Sequence, residues 1–133
     1  MEGFTRLGEL VRSLEADSAT IHHPIRRHFL GDGEFLTANL AVVQEAGNAL
    51  HTQPHPDEIV VILEGEVDFR VGDPIGRVQP GDLVFIPRNT RHGPILAEGD
   101  RLAALSVFAP HFDPARPDNF VWERDTVDAT KPA

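Results

Sequence analysis

The sequence contains no cysteine, and its 12 lysine and arginine residues are outnumbered by 21 aspartate and glutamate residues. The lack of cysteine excludes disulfide bonds, thiolate metal sites and a cysteine nucleophile. The formal net charge of −9, with no basic patch, argues against nucleic acid or an anionic membrane as a partner. No apolar run approaches the roughly 18 residues of a membrane span, and Met1 to Phe4 lack the features of a signal peptide. We therefore expect a cytoplasmic protein.

Glycine and proline are frequent instead, with 11 of each, and they occur singly between short apolar runs. This spacing is typical of short strands joined by turns. Apolar runs, several with period-two alternation, predict strands at 35–43, 59–63, 67–71, 77–78, 83–86, 92–96 and 102–109. Strands that turn about every 8 to 12 residues predict an all-β protein, an antiparallel sandwich or barrel.

Both ends of the chain differ from this strand pattern. Apolar residues at helical spacing, with charged residues between them, predict one amphipathic helix over about 5–16. The segment 110–133 is rich in proline, and we expect an extended arm that lies over the barrel or across a partner. Its apolar contacts would come from Phe112, Phe120, Val121 and Trp122. At 133 residues the chain is expected to form one domain, 1–133, with a barrel core at about 35–109.

Chemistry-bearing side chains are densest between His51 and Glu58, directly before an apolar strand. Burying imidazole, amide and carboxylate groups together is costly unless something pairs with them, and a metal ion would do so. His51 and Gln53 are two residues apart and can face the same side of a strand. Glu58 and His92 can reach the same point from neighbouring strands. Mixed nitrogen and oxygen ligands favour Fe(II), Mn(II), Ni(II) or Zn(II) over Cu(I).

Other interpretations of the same residues remain open. His51 and His92 could be hydrogen-bonded core histidines of a protein without metal. His55 could replace Gln53 as a ligand if the segment between Pro54 and Pro56 bulges inward. A buried Glu58 could instead pair with an arginine, the candidates being Arg70, Arg91 and Arg101.

The first half of this constellation resembles a motif of the cupins, G(X)5HXH(X)3–4E(X)6G. His51, Glu58 and Gly65 fit it with a four-residue gap before the glutamate. Gln53 stands where the motif has its second histidine, and Glu45 stands where the motif begins with glycine. An amide oxygen is a weaker ligand than imidazole, so the metal would be held less tightly or be a harder ion.

A second stretch resembles the other cupin motif, G(X)5PXG(X)2H(X)3N. Gly81, Pro87 and His92 fit it. Asn89 replaces the middle glycine and Leu96 the final asparagine. Asparagine tolerates the left-handed backbone conformation that the glycine would adopt, so the exchange at Asn89 is mild.

The resemblance implies a cupin-type double-stranded β-helix, or jelly-roll barrel, that holds one divalent metal ion: zinc, iron, manganese or nickel. The ligands would be His51, Gln53, Glu58 and His92. The metal would serve a cyclase or isomerase as Lewis acid, or a dioxygenase as O2 activator, and we favour the former. The substrate would be a small oxygen-rich molecule, aromatic or enolisable and polyketide-like. The alternative is a ligand-binding or regulatory cupin with structural metal or none, and small cupins often form homodimers.

Two further sets of residues are candidates for the reaction chamber. Imidazole titrates near neutral pH, so His55 or His28 could carry a proton to or from the substrate. Inward side chains fill small barrels, so aromatic residues on the strands could line the substrate site, namely Phe35, Phe69, Phe85 and Phe108.

Overall fold

The computed structural model describes residues 3–13, 20–22, 24–111 and 120–123, and for 20–22 the backbone alone. Within these ranges one helix, α1 (Leu7–Ser13), precedes the strands. The strands are β1 (Thr20–His22), β2 (Ile25–Asp32), β3 (Thr37–Val43), β4 (Gly47–Asn48), β5 (His51–Thr52), β6 (Asp57–Glu64), β7 (Val67–Val71), β8 (Ile75–Val78), β9 (Leu83–Ile86), β10 (His92–Leu96), β11 (Leu102–Ala109) and β12 (Val121–Trp122). No described helix is long and apolar enough to cross a membrane.

The strands form two six-stranded sheets with antiparallel pairing. The first sheet has the order β1-β2-β3-β11-β6-β9. The second has the order β12-β5-β10-β7-β8, and β4 also pairs with β10. Apolar side chains from both sheets meet in one core, among them Val43, Val60 and Ile62 from the first and Val67 and Phe69 from the second. This arrangement confirms the predicted all-β, double-stranded β-helix fold.

The first sheet begins earlier in the chain than the predicted barrel core. Strand β2 pairs with β3 along nearly its whole length, although the sequence analysis placed the start of the barrel at about residue 35. Its burial alternates at the start, because Ile25 and Arg27 are buried while Arg26 and His28 are half-buried. Period-two alternation in a strand means that Ile25 and Arg27 face the barrel interior. An arginine therefore points into the core.

The outer face of the first sheet is covered in part by the N-terminal helix. Val11 and Leu10 of α1 pack against Leu40, Val42 and Ala103. The described helix ends at Ser13, and the remainder of the predicted 5–16 segment, with Leu14, lies outside the described residues. On the outer face of β6, Leu63 packs against this helix cluster, whereas Ile59, nearer the start of the strand, is 37% exposed.

The C-terminal segment returns to the barrel. Val121 and Trp122 pair with Thr52 and His51 of β5, and Glu123 donates its backbone N–H to the Leu50 carbonyl at 3.0 Å. Phe120 is buried against Phe108. Phe112, which was expected to contribute to the same arm, lies outside the described residues.

The turn between β6 and β7 depends on the glycine at position 65. Gly65 has φ +100°, and a Cβ atom there would lie 2.1 Å from the Arg101 carbonyl oxygen. Side chains are strained at this φ, and backbone at 2.1 Å cannot yield as a flexible side chain would. The close approach keeps the β6–β7 turn against the start of β11.

Replacing Gly65 by alanine is expected to lower the free energy of unfolding by about 2–4 kcal/mol, because a strained φ and an overpacked contact add. Urea unfolding followed by circular dichroism measures the loss. Gly76→Ala on β8 is the matched control, since no heavy atom lies within 4 Å of the place that a Cβ atom would take there. It should change stability by less than about 1 kcal/mol. Equal losses in the two variants would contradict this account.

Candidate metal centre

Four of the predicted site residues meet in the interior between the two sheets. His51 begins β5, His92 begins β10, and Glu58 lies near the start of β6. Gln53 follows β5 directly. All four are buried, with exposed fractions between 1% and 4%. His51 and His92 are direct cross-strand neighbours, and their ring centroids are 4.3 Å apart.

Backbone carbonyls fix the orientation of both imidazole rings. Nδ1 of His51 lies 2.9 Å from the Ala49 carbonyl oxygen, and Nδ1 of His92 lies 2.7 Å from that of Thr90. A carbonyl can only accept, so Nδ1 carries the proton in each ring. In the neutral rings Nε2 therefore has a free lone pair. This is the arrangement in which a supporting hydrogen bond prepares histidine to bind a metal.

The Gln53 side chain links two of the acceptors. Its amide nitrogen lies 3.2 Å from His51 Nε2 and 3.3 Å from Glu58 Oε1, and it can donate one hydrogen to each. The amide thus satisfies the imidazole and the carboxylate together. Rotating the amide by about half a turn would exchange its nitrogen and oxygen and point the oxygen at the same place.

His92 remains without a donor in this network. Its Nε2 lies 3.2 Å from Glu58 Oε1, yet it is buried and has no hydrogen-bond partner among the described residues. With a neutral ring and an ionised carboxylate, two lone pairs face each other across this distance. Such a buried arrangement is costly, and a proton or a cation between the two atoms would relieve it.

The loop before β10 is tied to the segment that carries Gln53. Asn89 donates its backbone N–H to the Gln53 carbonyl, and Arg88 donates its own to Asp57 Oδ1, both at 2.8 Å. Asn89 has φ 59°, the left-handed conformation that the sequence analysis inferred from its place in the second motif. These bonds hold His92 beside Gln53 and Glu58.

Strand β10 also approaches β5 very closely beside His92. A Cβ atom on Gly93 would lie 2.1 Å from the Ala49 carbonyl oxygen, the same oxygen that accepts from His51. Glycine at this position therefore allows the two strands to bring both imidazole rings into contact.

The electrostatics of the site keep His51 neutral. Burial, and then the neighbouring His92, hold the pKa of His51 well below its usual value of 6.5, and the nearby Arg27 acts in the same direction. The ring is thus unprotonated at neutral pH, and its Nε2 lone pair remains available as an acceptor or a ligand.

The imidazole and carboxylate groups of the cluster are suitable ligands for a divalent cation. The Gln53 amide nitrogen now lies between His51 and Glu58. Among the residues that the structure describes, no three histidine, cysteine or carboxylate side chains already have metal-ligand geometry. Three groups are available as metal ligands: Nε2 of His92, which is unpartnered among the described residues, Nε2 of His51, and the Glu58 carboxylate. Rotation of the Gln53 amide would add its oxygen as a fourth ligand and would turn the N–H groups away from the centre.

The two candidate proton carriers lie away from this centre. His55 is exposed, because the segment after β5 turns outward and does not bulge inward. It therefore does not replace Gln53 in the cluster. His28 is half-buried and alternates with the inward Arg27 on β2, so it belongs to the outer face. The expectation that either reaches the chamber is not met.

The four candidate lining phenylalanines divide into two pairs. Phe69 and Phe108 are buried, with exposed fractions of 5% and 0%. Phe69 lines the interior cavity, whereas Phe108 does not line it and packs against Phe120 instead. Phe35 and Phe85 are 75% and 55% exposed and do not line it, which corrects the expectation for these two. Phe35 precedes β3, and Phe85 alternates with the inward Ile86 on β9.

The arginines that could have paired with Glu58 have other partners. Arg91 pairs with Glu123 at 2.9 Å, and Arg101 pairs with Glu64. Arg70 donates to the Asp73 carbonyl oxygen. Within the described residues, Glu58 therefore bonds to Gln53 of the cluster itself and lies 3.2 Å from His92 Nε2.

Arg27 is the site residue that the sequence analysis missed. Its exposed fraction is 2%, and it lines the same cavity as His51, Glu58 and His92. Its Nη1 donates to Asn39 Oδ1 at 2.9 Å. Burial lowers the pKa of Arg27, while the Glu58 carboxylate raises it. The sequence did offer one indication, because Arg27 lies two residues after the apolar Ile25 and two residues apart in a strand share a face.

Aromatic residues of the C-terminal segment close the cluster on the His51 side. The ring centroids of Trp122 and Phe120 lie 4.6 Å and 5.4 Å from that of His51. Apart from Arg27 and Ser106, apolar side chains form the rest of the cavity wall, including Val60, Phe69 and Pro94. The polar cluster is therefore shielded from bulk water, which strengthens each electrostatic interaction within it.

Solved structures with the same fold are numerous. A protein with a double-stranded β-helix domain from Klebsiella pneumoniae is 18% identical, with 92% of this chain and 97% of that chain covered and a TM-score of 0.66. KdgF from Halomonas is 22% identical over 70% of this chain and 86% of that one, with a TM-score of 0.62. The DMSP lyase DddQ from Ruegeria pomeroyi is 26% identical over 72% and 54%, with a TM-score of 0.56.

No curated protein sequence matches the chain. The sequence does match a family model, that of the cupin domain, over residues 40–108. The match includes β3 to β11 nearly in full, and with them His51, Gln53, Glu58 and His92. This chain belongs to the cupin-domain family.

Proposed function

We propose that this cupin is a metal-dependent enzyme that acts on a small, oxygen-rich organic molecule inside the barrel. The observation that carries the proposal is the buried set of acceptors on His51, Glu58 and His92, of which the Gln53 amide donates to the first two and leaves His92 without a donor among the described residues. Cupin domains commonly bind a divalent metal. These three residues, with the Gln53 oxygen after amide rotation, would hold it.

The chemistry divides between the ion and the protein. A bound divalent ion would act as a Lewis acid that polarises a substrate oxygen. The protein orients both imidazoles through the Ala49 and Thr90 carbonyls, and burial keeps His51 neutral. Arg27 adds a fixed positive charge to the same cavity.

The cavity favours a small substrate. Its volume is about 30 Å³, space for a few water-sized groups. A larger aromatic or polyketide-like molecule would have to displace the Phe120 and Trp122 side chains, which cover His51. A small enolisable or carboxylated compound, or one polar group of a larger molecule, suits this space better.

Non-redox chemistry remains our preference over O2 activation. Gln53 takes the place of an imidazole that is usual in three-histidine iron sites of the family. One structural neighbour, at 26% identity, is a lyase by name, which is also a non-redox activity. Turnover should therefore continue under anaerobic conditions, and a strict requirement for O2 would contradict this part of the proposal.

A non-catalytic, ligand-binding cupin is the second candidate function. The observation that favours it is that the Gln53 amide already satisfies His51 and Glu58 without any ion. If purified protein contains far less than one metal ion per chain, and its thermal stability is indifferent to chelator, the binding module is favoured. A homodimer is part of either proposal, and sedimentation at micromolar concentration tests it.

The metal ligands can be tested with matched histidine variants. We expect metal-free protein to take up about one Zn²⁺ per chain. His51→Ala and His92→Ala should each weaken binding by more than the roughly 10–100-fold that loss of a supporting partner costs. His55→Ala removes an exposed imidazole from the adjacent segment and should leave the affinity unchanged. Isothermal titration with Zn²⁺ measures all of these, and equal affinities in the three variants would contradict the proposed ligands.

The role of Gln53 has its own test. Gln53→His should tighten Ni²⁺ and Zn²⁺ binding by about tenfold or more, because imidazole is the better ligand for these ions. Gln53→Leu should weaken it, since the amide oxygen is lost. Competition with a coloured chelator gives the affinities. Identical values in the wild type and both variants would show that residue 53 is not a ligand.

A further inference from the structure

The barrel interior contains a buried positive charge that the metal proposal does not use. Arg27 enters from β2 with an exposed fraction of 2% and lines the cavity beside Glu58, His51 and Ser106. The arginine side chain stays protonated in proteins and presents five N–H donors. A charge this deeply buried needs counter-charge and hydrogen-bond acceptors.

The described residues supply few such acceptors. Arg27 Nη1 donates to Asn39 Oδ1 at 2.9 Å, and the rings of Phe108 and Phe120 lie near the guanidinium, at 5.3 Å and 5.1 Å from their centroids. Arg27 Nε is buried without a hydrogen-bond partner. The Glu58 carboxylate acts on Arg27 through space, while its described hydrogen bond is to Gln53.

Asn39 carries a further buried donor for which the described residues offer no acceptor. It is fully buried on β3. Its Oδ1 accepts from Arg27, while its Nδ2 has no partner in the part of the chain that the structure describes. Ser106 is its cross-strand neighbour on β11 and lines the cavity. Two unpartnered donors, one of them on a cation, thus lie side by side in the interior.

The net charge of the site also favours an anionic ligand. Arg27 and Glu58 cancel each other when no ion is bound. Adding a divalent cation to the candidate ligands would leave two positive charges in excess in a space from which water is largely excluded. An anionic substrate would compensate this excess, whereas a neutral one would not.

We propose that Arg27, held in place by Asn39, is a carboxylate-binding residue, and that the substrates of this cupin are small carboxylates. The guanidinium fork matches a planar carboxylate, and a second oxygen of the same molecule would face the histidines. This inference rests on the proposed function for the reaction, but the carboxylate site itself can be tested without metal.

Acetate is the probe, and acetamide is its neutral isostere. Titrations use the purified full-length chain at constant ionic strength, once metal-free and once loaded with Zn²⁺. We expect saturable acetate binding in both forms, stronger with Zn²⁺, and none with acetamide. Arg27→Met should weaken acetate binding by about 10–100-fold, as expected for loss of charged hydrogen bonds, without weakening Zn²⁺ binding. Arg77→Met, at a side chain 57% exposed on β8, removes the same charge and should change nothing.

A second variant tests the same proposal in case Arg27→Met does not fold. Asn39→Asp is nearly isosteric and gives Arg27 an internal counter-charge. It should raise the melting temperature of the ligand-free protein and weaken acetate binding by at least about tenfold, because a buried charge pair is then complete. Acetate binding by Asn39→Asp at wild-type strength would overturn the proposal, as would absence of acetate binding by the wild type.

The outcomes separate the two proposals. Arg27-dependent acetate binding in a protein that takes up no metal supports the carboxylate site and contradicts the metal enzyme. Normal Zn²⁺ uptake, with the same acetate affinity in the wild type and Arg27→Met, supports the metal centre and overturns the carboxylate site.

Discussion

The buried acceptor atoms in the interior of this barrel outnumber the hydrogen-bond donors that face them. The Nε2 atoms of His51 and His92 and the Oε1 atom of Glu58 converge, and the Gln53 amide supplies hydrogens to two of them. The shortage is imposed by the backbone, since the Ala49 and Thr90 carbonyls take the Nδ1 protons. A cation would satisfy all of these atoms together.

The two sheets contribute opposite parts of the site. The second sheet supplies the two imidazoles from β5 and β10, which pair directly. The first sheet supplies the charged groups, Glu58 from β6 and Arg27 from β2. Because β11 lies between β3 and β6, these charges belong to one continuous wall. The fold therefore places the two imidazoles opposite a wall that carries Arg27 and Glu58, with the cavity between them.

The sequence predicted most of this fold and the polar cluster, but not the cation beside it. Alternation and turn residues indicated the strands from β3 onward, and motif spacing brought the two histidines, the glutamine and the glutamate together. Arg27 was missed because an arginine on a strand normally signals the solvent face, and because the proline after two histidines obscured the start of β2. Phe35 and Phe85 were misplaced since aromatic character alone does not distinguish the two faces of a strand, and the exposure of His55 depends on how the segment after β5 turns.

The most direct test of the central claim is a crystal structure of protein grown with Zn²⁺, with anomalous diffraction recorded at the zinc absorption edge. The account predicts one interior peak about 2.0–2.2 Å from Nε2 of His51, Nε2 of His92 and a Glu58 oxygen, with the Gln53 amide oxygen turned toward it. A cavity without an anomalous peak, and with the Gln53 nitrogen still bridging His51 and Glu58, would contradict it.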